Sequence, residues 1–505
     1  MVQPAHALAP RRPPGALIPR YALALAAAVL LGLLTGWLAT LRAQPDPRVL
    51  GPLLPPLAIT FGFIYLAAGL VWIHRREIGA ELDAYLPPQE RALRVMVGLI
   101  AAVTAYETVR MFLLHFVGFW PTDLPSYHYA SLALRQGLDP YVPTNLTAPV
   151  KETIFPYIYP PLLALLWTPL TFLPLEDVFA IWQIVSLIAL GASLVLCIRL
   201  ARPVSPAARA AALIAALLVT FGLPTFFVAH HGAISGVFVF LVLLFFDRLQ
   251  RGRERTAGIV LAIACGIKVL PVLLLAYLAL KRRWRALLTA LAAGAVLLGL
   301  SILLVGWKIH WEFVTQIAPQ VGFATHSGLG FDAVYYPENQ SLNGFLSRLL
   351  CPDGGCGIVI ALVCLALAAP VAWRAGRRRT IDGAELAWIS ILLLLISPLT
   401  WVHHLVLVHL PAIVLAVLIA DERWRPRAWW VPVAAVTAIL AHDSGRLVIA
   451  VKNFVPWANM RLLMLLVLYA TFLHVDRRAR VEGAVAGGPA TGAARAPGRR
   501  ARSDV

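Results

Sequence analysis

Residues 286–305 read ALLTALAAGAVLLGLSILLV and carry no charged side chain. Residues 21–41 and 97–117 form similar, mainly apolar runs. A helix needs about 20 apolar residues to cross a hydrocarbon layer of roughly 30 Å. Backbone polar groups in lipid must bond within the segment, and these runs lack the period of two that marks a barrel strand. Each run therefore predicts a transmembrane helix.

Composition extends this prediction to the whole chain. Of its 505 residues, 60% are hydrophobic and only 13% are charged, and the mean hydropathy is +0.77. A soluble domain is nearer to half apolar and one quarter charged. We therefore expect an all-α, polytopic integral membrane protein with about 12–14 transmembrane helices. The candidate spans are residues 19–42, 51–74, 93–118, 177–198, 210–228, 233–247, 286–306, 357–373, 384–400, 403–420, 428–446 and 458–475.

Positive charge is concentrated in short segments between the apolar runs. The net charge is +18, with basic clusters at residues 199–209, 248–255, 281–285 and 374–379 among others. Short cytoplasmic loops are enriched in Lys and Arg, so these clusters orient the spans and place both termini in the cytoplasm. This explanation is preferred over nucleic-acid binding, and no nucleic-acid partner is expected.

Two apolar segments do not fit simple spans if all basic clusters are cytoplasmic. Residues 160–174 are short, which predicts a re-entrant or interfacial helix that starts and ends on the outer side. Residues 256–280 have basic clusters at both ends, which predicts two short helices broken near Gly266 to Pro271. The break places Lys268 at the outer tip of this hairpin. The alternative is a single span with a snorkelling lysine.

These patterns divide the chain into four parts. They are an N-terminal extra transmembrane hairpin, a membrane core with the outer loops, C-terminal transmembrane helices and a disordered basic cytoplasmic tail. Their bounds are residues 1–92, 93–420, 421–478 and 479–505.

Asp123 stands at the start of the first polar outer loop, directly after a predicted span. The residues that follow, 124–136, have a helical period with Tyr127 on the apolar side. Asp123 can cap this helix, because an aspartate satisfies free amides at a helix start. It can also act as a general base at the membrane surface, and the two roles can coexist. Asp139, before a proline, is typical of a turn.

Lys268 and two histidine pairs are the other ionisable groups predicted at the outer ends of spans. Lys268 in a broken helix can bind a phosphate as a point charge. The pairs are His230-His231 and His403-His404, which suit hydrogen bonding to a phosphate or sugar. Interfacial packing explains at least one histidine of each pair. A zinc site is disfavoured because neither pair has carboxylate or thiolate company in the sequence, and no metal is expected.

Aromatic and amide side chains accompany these groups. Tyr157 and Tyr159 open the short apolar segment, where they can anchor the protein at the interface or line a groove for lipid or sugar. The outer loop 307–356 contains Asn339 and Gln340 beside aromatic residues, a composition that suits carbohydrate. A capped surface helix explains the same stretch.

Cysteines and signature motifs narrow the function further. Cys351 and Cys356 flank a turn in loop 307–356, where a disulfide can form in an oxidising compartment. The sequence contains no phosphate-binding Walker loop, dinucleotide fingerprint or Gly-x-Ser-x-Gly elbow. This argues against an ATP-driven pump and a cytosolic nucleotide-sugar transferase. No cofactor is expected.

In their order and spacing, several short motifs resemble the bacterial polyprenol-phosphate-mannose-dependent α-1,2-mannosyltransferases, glycosyltransferase family 87 of the GT-C superfamily. The resemblance covers roughly residues 95–420. It is carried by Asp123, Gly137-Leu138-Asp139-Pro140-Tyr141, Tyr159-Pro160-Pro161-Leu162, Gly266-Ile267-Lys268-Val269-Leu270-Pro271, Asn339-Gln340-Ser341 and Ser397-Pro398 to His403-His404.

The resemblance implies a GT-C-type fold and an inverting transfer of a sugar, mannose in the family, from a polyprenyl phosphate to a glycan or glycolipid on the non-cytoplasmic face. It implies that Asp123 is the catalytic base. Candidates for the donor phosphate and lipid are Lys268, His403, His404, Tyr157 and Tyr159. Candidates for the acceptor or sugar are Tyr127, His128, His231, Asn339 and Gln340.

The chain departs from the family pattern in two places. About two extra spans precede Asp123, and His230-His231-Gly232 stands where relatives often have Gly-Gln. The acceptor and the sugar therefore remain open, and a lipid-phosphate-dependent arabinofuranosyltransferase is an alternative. A transporter or flippase of lipid-linked sugars is a second alternative, although no internal repeat is evident. A purely structural membrane subunit leaves the polar outer loops unexplained.

Overall fold

A computed structural model describes residues 122–142, 145, 154–328, 332–424, 426, 428–441 and 459–486. These residues form helices and no strand, as predicted. The predicted spans 19–42, 51–74 and 93–118, and the N-terminal hairpin 1–92, lie outside the described residues. In chain order the helices are α1 Leu124–Arg135, α2 Pro161–Trp167, α3 Leu175–Ala201, α4 Pro206–Thr220, α5 Leu223–His231, α6 Ser235–Gln250, α7 Glu254–Ile267, α8 Leu273–Leu280, α9 Trp284–Val305, α10 Trp307–Glu312, α11 Ala318–Gln320, α12 Leu342–Leu350, α13 Gly357–Arg377, α14 Gly383–Ile396, α15 His409–Ala420, α16 Trp430–Ala441 and α17 Met460–Ala486.

Four helical stretches in the described part of the chain are long and apolar enough to cross a membrane. They are Leu175–Ala201, Trp284–Val305, Gly357–Arg377 and Val402–Ala420, the last combining a 3-10 turn (Val402–Val408) with α15. A fifth arises if α4 and α5, which meet at 45°, form one bent span. The protein is therefore an integral membrane protein. The predicted spans 233–247, 384–400 and 428–446 correspond to the shorter helices α6, α14 and α16.

Helix breaks occur where the sequence carries Gly or Pro. The predicted span 210–228 is interrupted at Gly222, because Pro224 in the first turn of α5 cannot donate an amide to the preceding helix. The predicted break near Gly266 to Pro271 is present, since α7 ends at Ile267 and a 3-10 turn, Leu270–Val272, precedes α8. The short segment after Tyr159 is also present, as α2 followed by the 3-10 turn Thr168–Phe172.

The last helix requires a correction to the predicted tail. Helix α17 continues to Ala486, past residue 478, where the C-terminal helices were expected to end. Residues 477–486 read RRARVEGAVA and contain Ala, Arg and Glu, which favour a helix even without an apolar stripe. A Gly-Gly-Pro sequence follows directly. The rest of the predicted tail, residues 487–505, lies outside the described residues.

Buried packing ties the helices into one core. Helix α7 packs on α6 and α9, and α15 packs on α3 and α4. A second apolar cluster joins α1, α2 and the beginnings of α3 and α6 with Phe313 and Ile317. This cluster supports the loop that carries Asp123, because Leu124 is fully buried within it.

A buried ionic network joins four helices away from the Asp123 loop. Glu385 accepts hydrogen bonds from Tyr277 at 2.7 Å, Lys281 at 2.9 Å and Arg374 at 3.1 Å. Arg374 also pairs with Asp476 of α17. Lys281 and Glu385 are fully buried. Buried charges are stable only when they are paired, so this network fixes how α8, α13, α14 and α17 associate.

Candidate functional site

Asp123 directly precedes α1, but it does not cap that helix. Its side chain accepts no hydrogen bond from the helix amides, so the capping role considered from the sequence is not observed. One carboxylate oxygen, Oδ1, faces the Thr122 hydroxyl at 3.4 Å. The other, Oδ2, is buried and lies 3.5 Å from His403 Nε2. Asp123 is therefore directed toward the side chains of other helices.

The backbone of Asp123 is fastened to the end of α5. Its amide donates to the carbonyl of His231 at 3.0 Å. The next residue, Gly232, has φ +64°, and a Cβ there would lie 2.7 Å from Leu124 Cβ. Glycine alone accommodates both this left-handed conformation and this close approach. The Gly232 position therefore holds His231 beside Asp123.

Asp123, His231 and His403 form a compact group of possible ligands. One carboxylate oxygen and one ring nitrogen from each histidine all lie within 4.8 Å of one another. The rings of His231 and His403 meet edge to face, with centroids 5.5 Å apart. The sequence lacked a carboxylate near either histidine pair, and the fold supplies Asp123, which lies more than 100 residues earlier in the chain than His231.

Lys268 and His404 form a second polar pair next to this group. Lys268 is extended at the break after α7, and its Nζ lies 2.6 Å from His404 Nε2. His404 Nδ1 lies 3.2 Å from both the Trp401 amide nitrogen and the Leu399 carbonyl oxygen, so this ring is held on both sides. A Cβ on Gly266 would lie 2.4 Å from Leu162, so α2 packs closely beneath this break.

Hydroxyl groups line a small pocket around this pair. The pocket is lined by Lys268 and His404 together with Ser235, Ser397, Thr400 and five apolar side chains. The Ser397 hydroxyl donates to the Leu399 carbonyl, and the Thr400 hydroxyl donates to the Leu394 carbonyl. Sequence reasoning did not select Ser235, Ser397 or Thr400. The Ser-Pro-Leu-Thr sequence just before the histidine pair was the available signal.

The tyrosines form a wall on the other side of Asp123. Tyr127 is buried, and its hydroxyl donates to that of Tyr159 at 3.3 Å and accepts from the Ile234 amide at 3.4 Å. Tyr157 lies behind Tyr159, with ring centroids 5.8 Å apart, and donates to the Pro160 carbonyl. Tyr127 and Tyr159 therefore border the Asp123 group, whereas Tyr157 supports Tyr159 from behind.

Three candidate residues do not face this centre. His128 is buried on the other side of α1, where Arg135 and Glu176 are its charged neighbours. Asn339 is fully buried, and its amide donates to the carbonyls of Val334 and Pro398 and accepts from the amides of Ser341 and Thr400. Gln340 donates its backbone amide to the Thr400 carbonyl. Asn339 and Gln340 thus support the segment that carries His403 and His404.

Two further expectations concern residues in loops. Asp139 accepts the amide of Tyr141 at 2.9 Å, which confirms its turn role. Cys351 and Cys356 form a disulfide with a Cα–Cα distance of 6.0 Å. Loop chemistry predicted from sequence thus agrees with the structure at both places.

Burial controls the electrostatics of Asp123. Removal from water raises the pKa of this carboxyl from its ordinary value of 3.8 to about 7, and the nearby Lys268 charge and the Thr122 hydroxyl oppose the rise. A carboxyl group with a pKa in this range has a basicity suited to accepting a proton near neutral pH.

Comparison with known proteins provides evidence of a separate kind, from sequence similarity. Residues 157–398 match the sequence profile of Glycosyltransferase family 87. The chain is 28% identical over 251 residues to a Mycobacterium tuberculosis polyprenol-phosphate-mannose-dependent alpha-(1-2)-phosphatidylinositol pentamannoside mannosyltransferase, covering 49% of this chain and 56% of that protein. It is 31% identical over 288 residues to a polyprenol-phosphate-mannose-dependent alpha-(1-2)-phosphatidylinositol mannoside mannosyltransferase of the same species, covering 54% and 64%.

The matched regions are limited in length. The chain spans little more than half the length of the first of these relatives. The matched region includes Tyr157, Tyr159, His231 and Lys268. It begins after Asp123 and Tyr127 and ends before His403.

Proposed function

Residues 157–398 belong to glycosyltransferase family 87, and from this premise we propose that the chain transfers mannose from a polyprenyl-phosphate donor to a glycan or glycolipid acceptor. The two mycobacterial relatives described above are named for this donor class. The proposed site is on the non-cytoplasmic face, because the basic clusters between spans favour a cytoplasmic location for the opposite ends.

Asp123 is the proposed general base. An acceptor hydroxyl attacks the anomeric carbon of the donor sugar, the bond from that carbon to the phosphate oxygen breaks, and the hydroxyl proton passes to the Asp123 carboxylate. The support is positional: Asp123 makes no capping bond, and Oδ2 is buried beside His403. Neighbouring Tyr159, which is only partly buried and accepts a hydrogen bond from the buried Tyr127 hydroxyl, offers aromatic and hydroxyl surface for the reacting sugars.

Lys268 and His404 are the proposed partners of the leaving polyprenyl phosphate. Negative charge grows on the phosphate as the glycosidic bond breaks, and preorganised donors in a dry site stabilise that charge. Lys268 lies in a pocket with His404 and hydroxyl side chains. The single observation that carries the proposal is that adjacent histidines connect the two halves, since His403 faces Asp123 and His404 faces Lys268.

The test is transfer from radiolabelled polyprenyl-phosphate mannose by the purified chain in lipid nanodiscs. Asp123→Asn should lower the rate by roughly 100-fold or more, because general-base catalysis contributes about 10²–10⁴-fold. The matched control is Asp139→Asn in the same loop, because asparagine also forms the turn that Asp139 makes with Tyr141. Equal activity of the wild type and Asp123→Asn would exclude Asp123 as the base.

The same assay separates the alternatives. A parallel reaction with labelled polyprenyl-phosphate arabinose decides between the two sugars. Movement of the intact lipid-linked sugar across a liposome bilayer without bond cleavage would instead support a transporter. Among the described residues, the polar groups that support the transferase proposal lie at helix ends. This location favours sugar transfer over transport.

A further inference from the structure

The group formed by Asp123, His231 and His403 has the composition of a transition-metal site. Two imidazoles and one carboxylate are the protein ligands of many catalytic zinc centres, which leave a fourth position open. The three ligand atoms come from the residue before α1, from the end of α5 and from the turn before α15, and all lie within 4.8 Å of one another. Neither histidine pair suggested this set from sequence, because the carboxylate is distant along the chain.

The separations approach those that a bound ion requires. Bonds of 2.0–2.2 Å at tetrahedral angles place ligand atoms roughly 3.4 Å apart. His403 Nε2 and Asp123 Oδ2 are 3.5 Å apart. Because no pair exceeds 4.8 Å, small rotations of the rings that close the widest gap by roughly 1.4 Å complete the set.

One buried polar atom at this place has unused bonding capacity. Asp123 Oδ2 is buried, accepts no hydrogen bond within the described structure and lies 3.5 Å from His403 Nε2. Buried polar atoms in native proteins are normally satisfied by protein, water or an ion. Lys268 directs its ammonium to His404 at 2.6 Å instead. A cation between Asp123 and the two imidazoles satisfies the carboxylate directly.

The backbone holds the group in place before any ion binds. The Asp123 amide bonds to the His231 carbonyl, and Gly232 allows the close contact with Leu124. A preformed arrangement lowers the ordering cost of binding, which favours a site of useful affinity.

We propose that Asp123, His231 and His403 bind a zinc-class divalent cation, with an open position toward the space in front of Asp123. Imidazole nitrogen favours zinc and neighbouring transition ions over magnesium and calcium, which prefer oxygen ligands. A role of this cation in catalysis rests on the proposed transferase function. The cation draws on Oδ2, whereas Oδ1 faces Thr122 and stays available to the acceptor.

The experiment uses the full chain carrying no polyhistidine tag, freed of metal with a chelator and reloaded with Zn²⁺ alone or Mg²⁺ alone. Elemental analysis should find about one zinc per chain and no bound magnesium. Co²⁺ in place of zinc should give visible absorption typical of a tetrahedral site. His231→Gln and His403→Gln should each weaken zinc binding at least roughly 100-fold, since even losing an indirect support of a ligand costs 10–100-fold.

The matched control is His326→Gln, which removes an exposed histidine that pairs with Asp332 in an outer loop. This surface pair is where adventitious zinc would bind, so the control should retain the wild-type zinc content. Equal zinc in the wild type and both site variants, or loss of zinc only in the control, would overturn the proposal. Gel filtration and circular dichroism verify that each variant is folded.

Activity separates this proposal from the transferase function. Mannosyl transfer by a chain that binds no zinc overturns the cation site and retains the function. Stoichiometric zinc in a chain that transfers no sugar retains the site and removes the function.

Discussion

At the scale of single side chains, the proposed role of Lys268 in binding the donor phosphate can be tested by removing its charge. We expect Lys268→Met to lower kcat/KM for the polyprenyl-phosphate donor by about 100-fold or more, because losing one preorganised donor to a developing charge has that effect. Initial rates over a range of donor concentrations measure it. The control is Lys308→Met, since Lys308 lies on the exposed side of α10. A similar loss in both variants would contradict a specific phosphate role.

Single residues also show where sequence reasoning was sufficient and where it was not. Lys268 was selected because ionisable residues within apolar segments are rare, and Asp123 because it directly follows a predicted span; one position carries each signal by itself. The proximity of Asp123, His231 and His403 depends on how α1, α5 and the turn before α15 meet. No local pattern encodes such a meeting. The same limit applies to Asn339, whose amide suggested a sugar contact but whose bonds all go to backbone groups.

At the scale of elements, Asn339 connects the loop before α12 to the segment that leads into the histidine pair. Asn339→Ala leaves the amides of Ser341 and Thr400 without their acceptor, at about 1–3 kcal/mol for each unsatisfied group. We therefore expect a clearly lower melting temperature in detergent. The control is Asn145→Ala, which removes one bond to the Asp139 carbonyl near the surface. A raised KM for the acceptor with unchanged melting temperature would instead support sugar binding by Asn339.

A second element, the turn around the disulfide, should respond to pH. His326 faces the Asp332 carboxylate and the Pro352 carbonyl, and the Asp332 bond raises its pKa above the ordinary value of 6.5. Because the folded-state pKa is raised, this contact is fully present below about pH 6.5 and is lost as the pH rises through the raised pKa. Histidine-selective NMR titration measures the shift.

Asp332→Asn provides the comparison for that titration. It removes the charged acceptor of His326, so the histidine pKa should fall toward its ordinary value. Amide exchange in residues 322–354 should then rise at mildly acidic pH. An unchanged titration curve in Asp332→Asn would show that another group controls His326.

At the scale of the whole molecule, the buried network around Glu385 carries the association of helices distant in sequence. Glu385→Gln leaves Lys281 and Arg374 with a neutral partner, and breaking a buried ion pair costs about 3–5 kcal/mol. We expect a strongly lowered melting temperature in detergent. Glu254→Gln is the control, because its pair with Arg283 is partly exposed and such pairs contribute about 0–1 kcal/mol. Equal melting temperatures for both variants would contradict this ranking.

The global fold followed from sequence to the extent that hydrophobicity determines it. Apolar runs and basic clusters indicated a helical membrane protein, and Gly266 to Pro271 indicated the helix break that the structure contains. The bend at Gly222 was missed, because one glycine and one proline lie inside an otherwise continuous apolar run. The extension of α17 was missed because helix propensity acted where hydrophobicity did not.

The bond between the Asp123 amide and the His231 carbonyl, together with the contact to His403, has a consequence for biogenesis. Ribosomes elongate at about 5–20 residues per second, so His403 leaves the ribosome roughly 14–56 s after Asp123, about 280 residues earlier in the chain. The first of these partners, His231, arrives much sooner. Asp123 can thus bond to His231 early in synthesis, whereas its contact with His403 forms only late. A ribosome-arrested chain that stops short of residue 403 holds its aspartate in place but has no finished centre, so an inserted intermediate remains inactive until the late helices arrive.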